Sequence, residues 1–212
     1  MPSVSELEKL FRWQVDDTTP EYRVSPDEFR VYLKEAQDEA VKRKNLLFDK
    51  SSAFCTVAVA AGKAVYPLHR SIYAIAYASI DGEPLEVKDR IDLDRLRPDW
   101  RTLSEKPCQL VHYDTSVELV PSPDKAYTLK LEAYRYPLCC DPDELEINQA
   151  HHRDLLHWVK YRAYSRPDID IFDPDAAAKC ERKFIGIFGY DVDGDDKRDW
   201  YGNVAHVNKP CY

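Results

Sequence analysis

Apolar residues recur at helical spacing at both ends of the chain, and this pattern predicts two helices at each end. The first predicted helix can be capped by Ser3 or Ser5, and it places Val4, Leu7, Leu10 and Phe11 on one side. An amphipathic helix gains most of its stability by packing its apolar face, so this stripe has to be buried. The first helix is therefore expected to pack against other helices of the chain.

The second predicted helix is the most strongly marked element of the chain. Ser25 is in place for an N-cap, Pro26 for the first helical position and Glu28 for a capping box. The helix is expected to end near Asp49. Its apolar stripe consists of Phe29, Leu33, Ala36, Ala40 and Leu47. Its opposite, charged face carries Lys34, Glu35, Asp38, Glu39, Lys42 and Arg43.

Two further helices are predicted after Pro137. The third lies within residues 150–165, and Asp173 and Pro174 are suited to begin the fourth, which Gly189 ends. The third helix buries Leu155, Leu156, Val159 and Ala163. The fourth buries Ala177, Cys180, Phe184 and Ile187 or Phe188.

Between the two helix pairs, from Ala53 to Pro137, apolar and polar residues alternate, and β-branched and aromatic residues are frequent. Turn signals stand at Asp81–Gly82 and at residues 121–124. Residues 91–107 interrupt the alternation and suggest a short helix or an irregular loop. About five short strands in a small antiparallel sheet or sandwich are expected here.

Together these elements predict an α+β fold. It has a four-helix core, with two helices from each end of the chain, an inserted small antiparallel β-domain and an extended C-terminal tail. The helix pairs should pack together because neither pair can bury its apolar faces alone. The predicted domains are a helical core (residues 1–50 and 141–189), a β-domain (residues 51–140) and a tail (residues 190–212).

The charge of the chain narrows its possible partners. Its 212 residues include 30 Lys and Arg against 38 Asp and Glu, which gives a formal net charge of −8. This balance argues against a surface that grips nucleic acid, because phosphate neutralisation needs clustered cations. A negative surface can still lie beside DNA that slides past it. There is no run of about 18 apolar residues, so no membrane span is expected.

The sequence gives little support for a catalytic site or a metal site. His151, His152 and His157 fall close together, but His152 and His157 point about 140° apart on a helix and cannot share an ion. The acidic run 191–196 fails as a calcium loop because its glycine comes too early and position 200 is Trp. The six cysteines form no CxxC pair and are read as reduced thiols of a cytosolic protein. No catalytic residue, metal site or cofactor is predicted, and the protein is expected not to be an enzyme.

The last two dozen residues have no strong period and carry scattered aromatic and aliphatic side chains. Such residues on a polar segment suit docking into a groove of a partner. The predicted partner-binding residues are Tyr190, Trp200, Tyr201, Val204, Val207 and Tyr212.

Residues 25–51 resemble the second helix of the head–tail adaptor (connector) proteins of tailed bacteriophages. The resemblance continues in residues 61–68, which are similar to the opening of the adaptors' β-region, and in residues 152–184, which are similar to their last two helices. In the second helix the matching residues are Asp27, Glu28, Phe29, Tyr32, Leu33, Glu35, Ala36 and Gln37, with Lys34 in place of the usual Asn. The layout is most similar to adaptors of short-tailed phages.

The resemblance implies a structural protein of the virion, at the head–tail junction and assembled in the host cytoplasm. It implies a homo-oligomeric ring, commonly of twelve subunits, under the portal protein. Such a ring extends the DNA channel for genome ejection and carries the tail nozzle and tail fibres, and its C-terminal segment reaches the portal. Neighbouring subunits are expected to contact along the charged face of the second helix. The predicted interface residues are Lys34, Glu35, Asp38, Lys42 and Arg43.

Two other functions stay open at this point. One is a hydrolase that uses carboxylates or a Cys/His pair in a cleft between the helices and the β-region. The other is a carbohydrate-binding β-domain that presents Tyr73, Tyr77 and Tyr113 on one sheet face.

Overall fold

A computed structural model of the chain describes residues 3–139, 144–167 and 171–191. The described residues form two compact units. We call residues 3–47 and 136–191 the helical unit, and residues 48–135 the sheet unit.

Five α-helices occur among the described residues. They are α1 (Val4–Gln14), α2 (Pro26–Lys44), α3 (Arg90–Leu96), α4 (His152–Tyr164) and α5 (Pro174–Phe188). Short 3-10 helices span Ala53–Cys55 and Gln149–His151. The helix α3 belongs to the sheet unit, and the other four α-helices belong to the helical unit.

The ends of the helices follow local sequence signals. Ser25 accepts a hydrogen bond in a complete capping box, which confirms the predicted start of α2. Ser3, one of the two candidate caps of the first helix, does the same for α1. Asp173 caps α5, and Gly189 ends it with a positive φ of 92°. The predicted end of α2 near Asp49 is wrong. Asn45 takes the left-handed conformation and ends the helix at Lys44.

The core of the helical unit is aromatic. Phe184 of α5 lies 5.0 Å from Trp158 of α4 and 4.7 Å from Phe188, measured between ring centroids. Phe11 of α1 contacts Phe29 of α2 at 5.3 Å. The helix α4 packs against α1, α2 and α5. Its apolar stripe therefore lies at the centre of the unit.

A buried ion cluster joins α1 to the loop that precedes α2. The side chain of Arg12, which is 6% exposed, donates to Asp17 Oδ2 at 3.2 Å and to the carbonyl oxygen of Val24 at 3.1 Å. Its Nε also donates to Glu8 at 3.0 Å. Asp17, which is 4% exposed, accepts a further hydrogen bond from the backbone N–H of Arg23. These bonds give the loop its course between the two helices.

The sheet unit contains ten strands. They are β1 (Phe48–Asp49), β2 (Thr56–Val59), β3 (Val65–Pro67), β4 (Ile72–Ile80), β5 (Glu83–Val87), β6 (Ser104–Glu105), β7 (Gln109–His112), β8 (Ser116–Val120), β9 (Ser122–Pro123) and β10 (Tyr127–Arg135). Eight of them form one sheet in the order β1-β10-β4-β5-β7-β8-β3, with β2 also paired to β10. The other two, β6 and β9, form a separate pair. The larger of its two buried apolar clusters includes Ile75, Leu110, Leu129 and Leu131. The smaller cluster consists of Leu93, Trp100, Val111 and Val120.

The predicted fold class, a four-helix core with a small antiparallel β-domain, is wrong. The chain is a mixed α/β protein with a large curled sheet. The strands β5 and β7 pair in parallel, with Glu86 opposite Gln109, because the segment that contains α3 returns the chain in the same direction. Short edge strands that carry almost no periodic signal enlarge the sheet. The division into domains of residues 1–50 with 141–189, 51–140 and 190–212 stays a prediction.

Asp49 ties the first strand of the sheet unit to the last. It accepts hydrogen bonds from the backbone N–H groups of Ser51 and Ser52, from Ser52 Oγ at 2.7 Å and from Arg135 Nε at 2.9 Å. Burial raises the pKa of this carboxyl, but the four hydrogen bonds outweigh burial and hold the pKa far below its ordinary value of 3.8. The charged form of Asp49 therefore stabilises the folded sheet unit.

This arrangement predicts an acid-sensitive contribution to stability. A carboxyl whose pKa is lowered by folding stabilises the fold above its unfolded pKa of about 4, and the effect is lost as pH falls towards the folded pKa. Asp49→Asn should cost about 2–3 kcal/mol at pH 7, and the difference from wild type should shrink below about pH 4. Thermal unfolding between pH 7 and pH 3 measures it. The exposed Asp89 gives a control, Asp89→Asn, for which a difference of equal size would contradict this role of Asp49.

Candidate functional site

An open groove of 530 Å³ runs along the outer face of α2. Its lining residues are Val31, Glu35, Asp38, Glu39, Lys42 and Tyr136. The α2 residues share one face because they are three or four positions apart. All six belong to the helical unit. The groove therefore combines an apolar part, at Val31 and Tyr136, with a row of charged side chains.

Two of the three carboxylates in the groove have a cation as partner within the chain. Glu35 pairs with Arg162 of α4 at 3.1 Å, and Glu39 pairs with Arg43 at 2.9 Å. Lys42 in turn pairs with Asp191 at 2.8 Å. Among the residues that the structure describes, Asp38 makes neither an ion pair nor a hydrogen bond.

The surroundings of Asp38 disfavour its charge. Burial raises the pKa of this carboxyl, and the neighbouring Glu39 and Glu35 raise it further against a lowering effect of Lys34. A cation from another molecule would relieve this unfavourable environment. The groove is therefore suited to a positively charged, partly apolar ligand surface.

The predicted interface residues on α2 differ in their surroundings. Lys34 is exposed, whereas Glu35, Asp38 and Lys42 line the groove. Arg43 lies 5.1 Å from the ring centroid of Trp158 and donates to the carbonyl oxygen of Gly189. It therefore already supports the end of α5 within its own chain. The assignment of these five residues to a subunit interface stays a prediction.

Sequence reasoning missed two residues of the groove. Val31 is 63% exposed on the otherwise charged face of α2, and an apolar residue one turn before Glu35 was an available signal. Tyr136 directly follows β10, and its sequence position gives no sign that it lies against α2.

Only one of the predicted partner-binding residues at the C-terminus lies in the described part of the chain. Tyr190 follows the end of α5 and is 76% exposed. The other predicted residues, Trp200, Tyr201, Val204, Val207 and Tyr212, lie outside the described residues, as do residues 192–196 of the acidic run.

The three histidines that fall close together in the sequence have different surroundings in the structure. The ring of His151 lies 5.7 Å from that of Phe188, and His152 Nε2 is 3.1 Å from the carbonyl oxygen of Ile147. Burial lowers the pKa of His157. In the described ranges no group of three His, Cys, Asp or Glu side chains could hold a metal ion.

The described residues give no support to a cysteine hydrolase site or to a carbohydrate-binding sheet face. Burial raises the pKa of the Cys55 and Cys180 thiols, which disfavours a thiolate nucleophile. The rings of Tyr73, Tyr77 and Tyr113 are half-buried, and Tyr113 packs against the small cluster around Trp100. These tyrosines therefore do not form an exposed aromatic platform.

Comparison with known proteins decides the family. The model of the SU10 adaptor protein family matches residues 2–207. The chain belongs to the SU10 adaptor protein family. This confirms the resemblance to phage head–tail adaptors and makes the chain a phage adaptor, a structural component of the virion. No curated protein matches the chain.

The match to the SU10 adaptor family extends over nearly the whole chain and is not limited to one motif. It covers both the helical unit and the sheet unit. None of the helices in the described part of this adaptor combines the length and the apolar character needed to cross a membrane.

Proposed function

We propose that this adaptor forms a ring that docks under the portal protein at the head–tail junction. The ring contains twelve copies, extends the DNA channel and anchors the tail nozzle and tail fibres of a short-tailed phage. Subunits reach the growing particle from the host cytoplasm. The family match over residues 2–207 is the observation that supports this proposal most strongly.

The net charge of −8 fits a channel through which DNA passes without specific binding. A wall of negative charge repels the phosphate backbone, so the genome does not adhere during ejection. Binding of duplex DNA to the purified adaptor should therefore be negligible at physiological salt.

The size of the purified adaptor, alone and mixed with portal rings of the same phage, tests the proposal. We expect a complex with twelve adaptor copies for each portal ring, measured by light scattering and electron microscopy. An adaptor that stays monomeric and ignores the portal would contradict the proposed function.

The C-terminal segment is proposed to bind the portal through its aromatic residues. Trp200→Ala together with Tyr201→Ala should weaken binding to the portal by at least about 30-fold, because buried aromatic anchors dominate protein interfaces. Binding is measured by surface plasmon resonance on immobilised portal rings. Asn203→Ala, in the same segment but without loss of an aromatic ring, serves as the control. Equal affinities of the two variants would argue against an aromatic anchor.

A further inference from the structure

An exposed tryptophan of α1 and two lysines of α4 and α5 lie outside the α2 groove of the helical unit. Trp13 of α1 is 76% exposed. The next residue, Gln14, accepts a hydrogen bond from Lys160 Nζ of α4 at 2.9 Å. Lys183 of α5 is near enough to affect Lys160 electrostatically. We call Trp13, Lys160 and Lys183 the Trp13–lysine patch.

The positive charges of this patch are not neutralised within the described chain. Burial lowers the pKa of Lys160, and the charge of Lys183 lowers it further. Neither lysine forms an ion pair with any residue that the structure describes. The patch therefore favours an approaching carboxylate, just as Asp38 in the α2 groove favours an approaching cation.

The indole ring of Trp13 also leaves a large apolar area exposed to solvent. A large aromatic side chain on a surface gains free energy when it is buried, and tryptophan is enriched among the residues that dominate binding energy. The α2 groove offers Val31 and Tyr136 as apolar contacts. Its volume of 530 Å³ is in the range that holds a small ligand, which is enough for an indole ring beside a lysine side chain.

We propose that neighbouring copies of this adaptor contact head to tail, with the α2 groove of one copy receiving the Trp13–lysine patch of the next. In this contact Trp13 lies against Val31 and Tyr136, and the lysines face Asp38. The proposal rests on the proposed ring function and names the two surfaces that build the ring.

The position of the two surfaces explains why such a contact continues beyond a dimer. The groove is formed by α2 and Tyr136, whereas the patch is formed by α1, α4 and α5. Every copy therefore carries one groove and one patch on different elements. A contact between two different surfaces is heterologous, and its repetition closes a ring or grows a filament.

A charge-swap experiment tests the pairing. Variant A carries Asp38→Lys, and variant B carries Lys160→Glu with Lys183→Glu. Each variant alone should need at least about 30-fold more protein than wild type to assemble, because like charges then face each other. An equimolar mixture should assemble within about threefold of wild type, since each altered surface meets its complement in an alternating ring. Sedimentation velocity in solution and copy number on portal rings are the measurements.

Further measurements and variants distinguish a folding defect from the loss of the proposed contact. Circular dichroism and thermal unfolding should show both variants folded, and recovery in the mixture itself requires folded chains. Lys50→Glu and Asp99→Lys reverse charges at exposed positions of the sheet unit and should assemble like wild type. Trp13→Ala should weaken assembly without any change of charge.

The possible failures separate the two proposals. Wild-type adaptor that assembles neither alone nor on portal rings would overturn the proposed ring function and the pairing with it. Wild-type adaptor that assembles while variants A and B assemble equally well would overturn the pairing alone. Loss of assembly in both variants without recovery in the mixture would overturn the pairing as well.

Discussion

Replacing Arg12 by alanine is expected to lower the free energy of unfolding of the helical unit by about 3–5 kcal/mol. The guanidinium lies between Glu8 and Asp17 and donates to the carbonyl oxygen of Val24. Its removal leaves the carboxylate of Asp17, which is 4% exposed, without its cation. A buried charge without a partner is costly because the surrounding protein cannot replace its hydration. Urea unfolding followed by circular dichroism at 222 nm measures the loss.

The nearby Arg23 provides the matched control. Its side chain is exposed, and only its backbone N–H contacts Asp17, so Arg23→Ala should change stability by less than about 0.5 kcal/mol. In the Arg12→Ala background, Asp17→Asn should recover part of the loss because it removes the unpaired charge. Equal effects of the two arginine variants would show that the buried cluster does not stabilise the unit.

Phe184→Ala is expected to cost a similar amount, about 3–5 kcal/mol, through loss of packing. The ring is fully buried and contacts Trp158 and Phe188, and the guanidinium of Arg43 lies 5.3 Å from its centroid. Truncation removes apolar contacts and leaves a cavity between α4 and α5. Equilibrium unfolding followed by tryptophan fluorescence reports this site because Trp158 is adjacent.

Phe172 is the control for this second prediction. It lies just before α5 and is 48% exposed, so Phe172→Ala should cost less than about 1 kcal/mol. Phe184→Leu, which keeps much of the volume, should lose clearly less than Phe184→Ala. If all three variants lost the same amount, the packing of α5 on α4 through Phe184 would be contradicted.

The starts of α2 and α5 and the end of α5 in this adaptor can be predicted from nearby residues in the sequence. The capping box of α2 is formed by Ser25 and Glu28, three residues apart, so the start of the helix is legible without any knowledge of the rest of the fold. The same holds for Asp173 and Gly189 at the two ends of α5. The predicted end of α2 near Asp49 is wrong because Leu47 continues the apolar spacing, whereas Asn45 already leaves the helical conformation.

The sheet shows where periodicity stops being informative. Alternation in β4 and β10 indicates strands but does not say which strands are neighbours. The parallel pairing of Glu86 with Gln109 depends on the path of the intervening chain, which has no period of its own. Strands of two to four residues, such as β1 and β3, are held by their partners and not by their own residue pattern.

The α2 groove depends partly on residue spacing within one helix and partly on contacts from residues far away in the sequence. Membership of an amphipathic helix placed Glu35, Asp38 and Lys42 on one face, which the sequence predicted. The sequence did not predict that Asp38 makes no ion pair among the described residues, because this depends on where the cations of other helices lie. Arg162 of α4, for example, pairs with Glu35. Nor did it predict that Tyr136 closes the groove.

Local sequence was thus sufficient for the helices of the helical unit, for the caps that begin α2 and α5, for the end of α5, and for the resemblance to phage adaptors. These features depend on residues within one or two helical turns, or on patterns read directly along the chain. The strand order, the groove on α2 and the Trp13–lysine patch arise only in the folded chain. They depend on pairs of residues far apart in sequence, and many such pairings are compatible with the same local patterns until packing selects one.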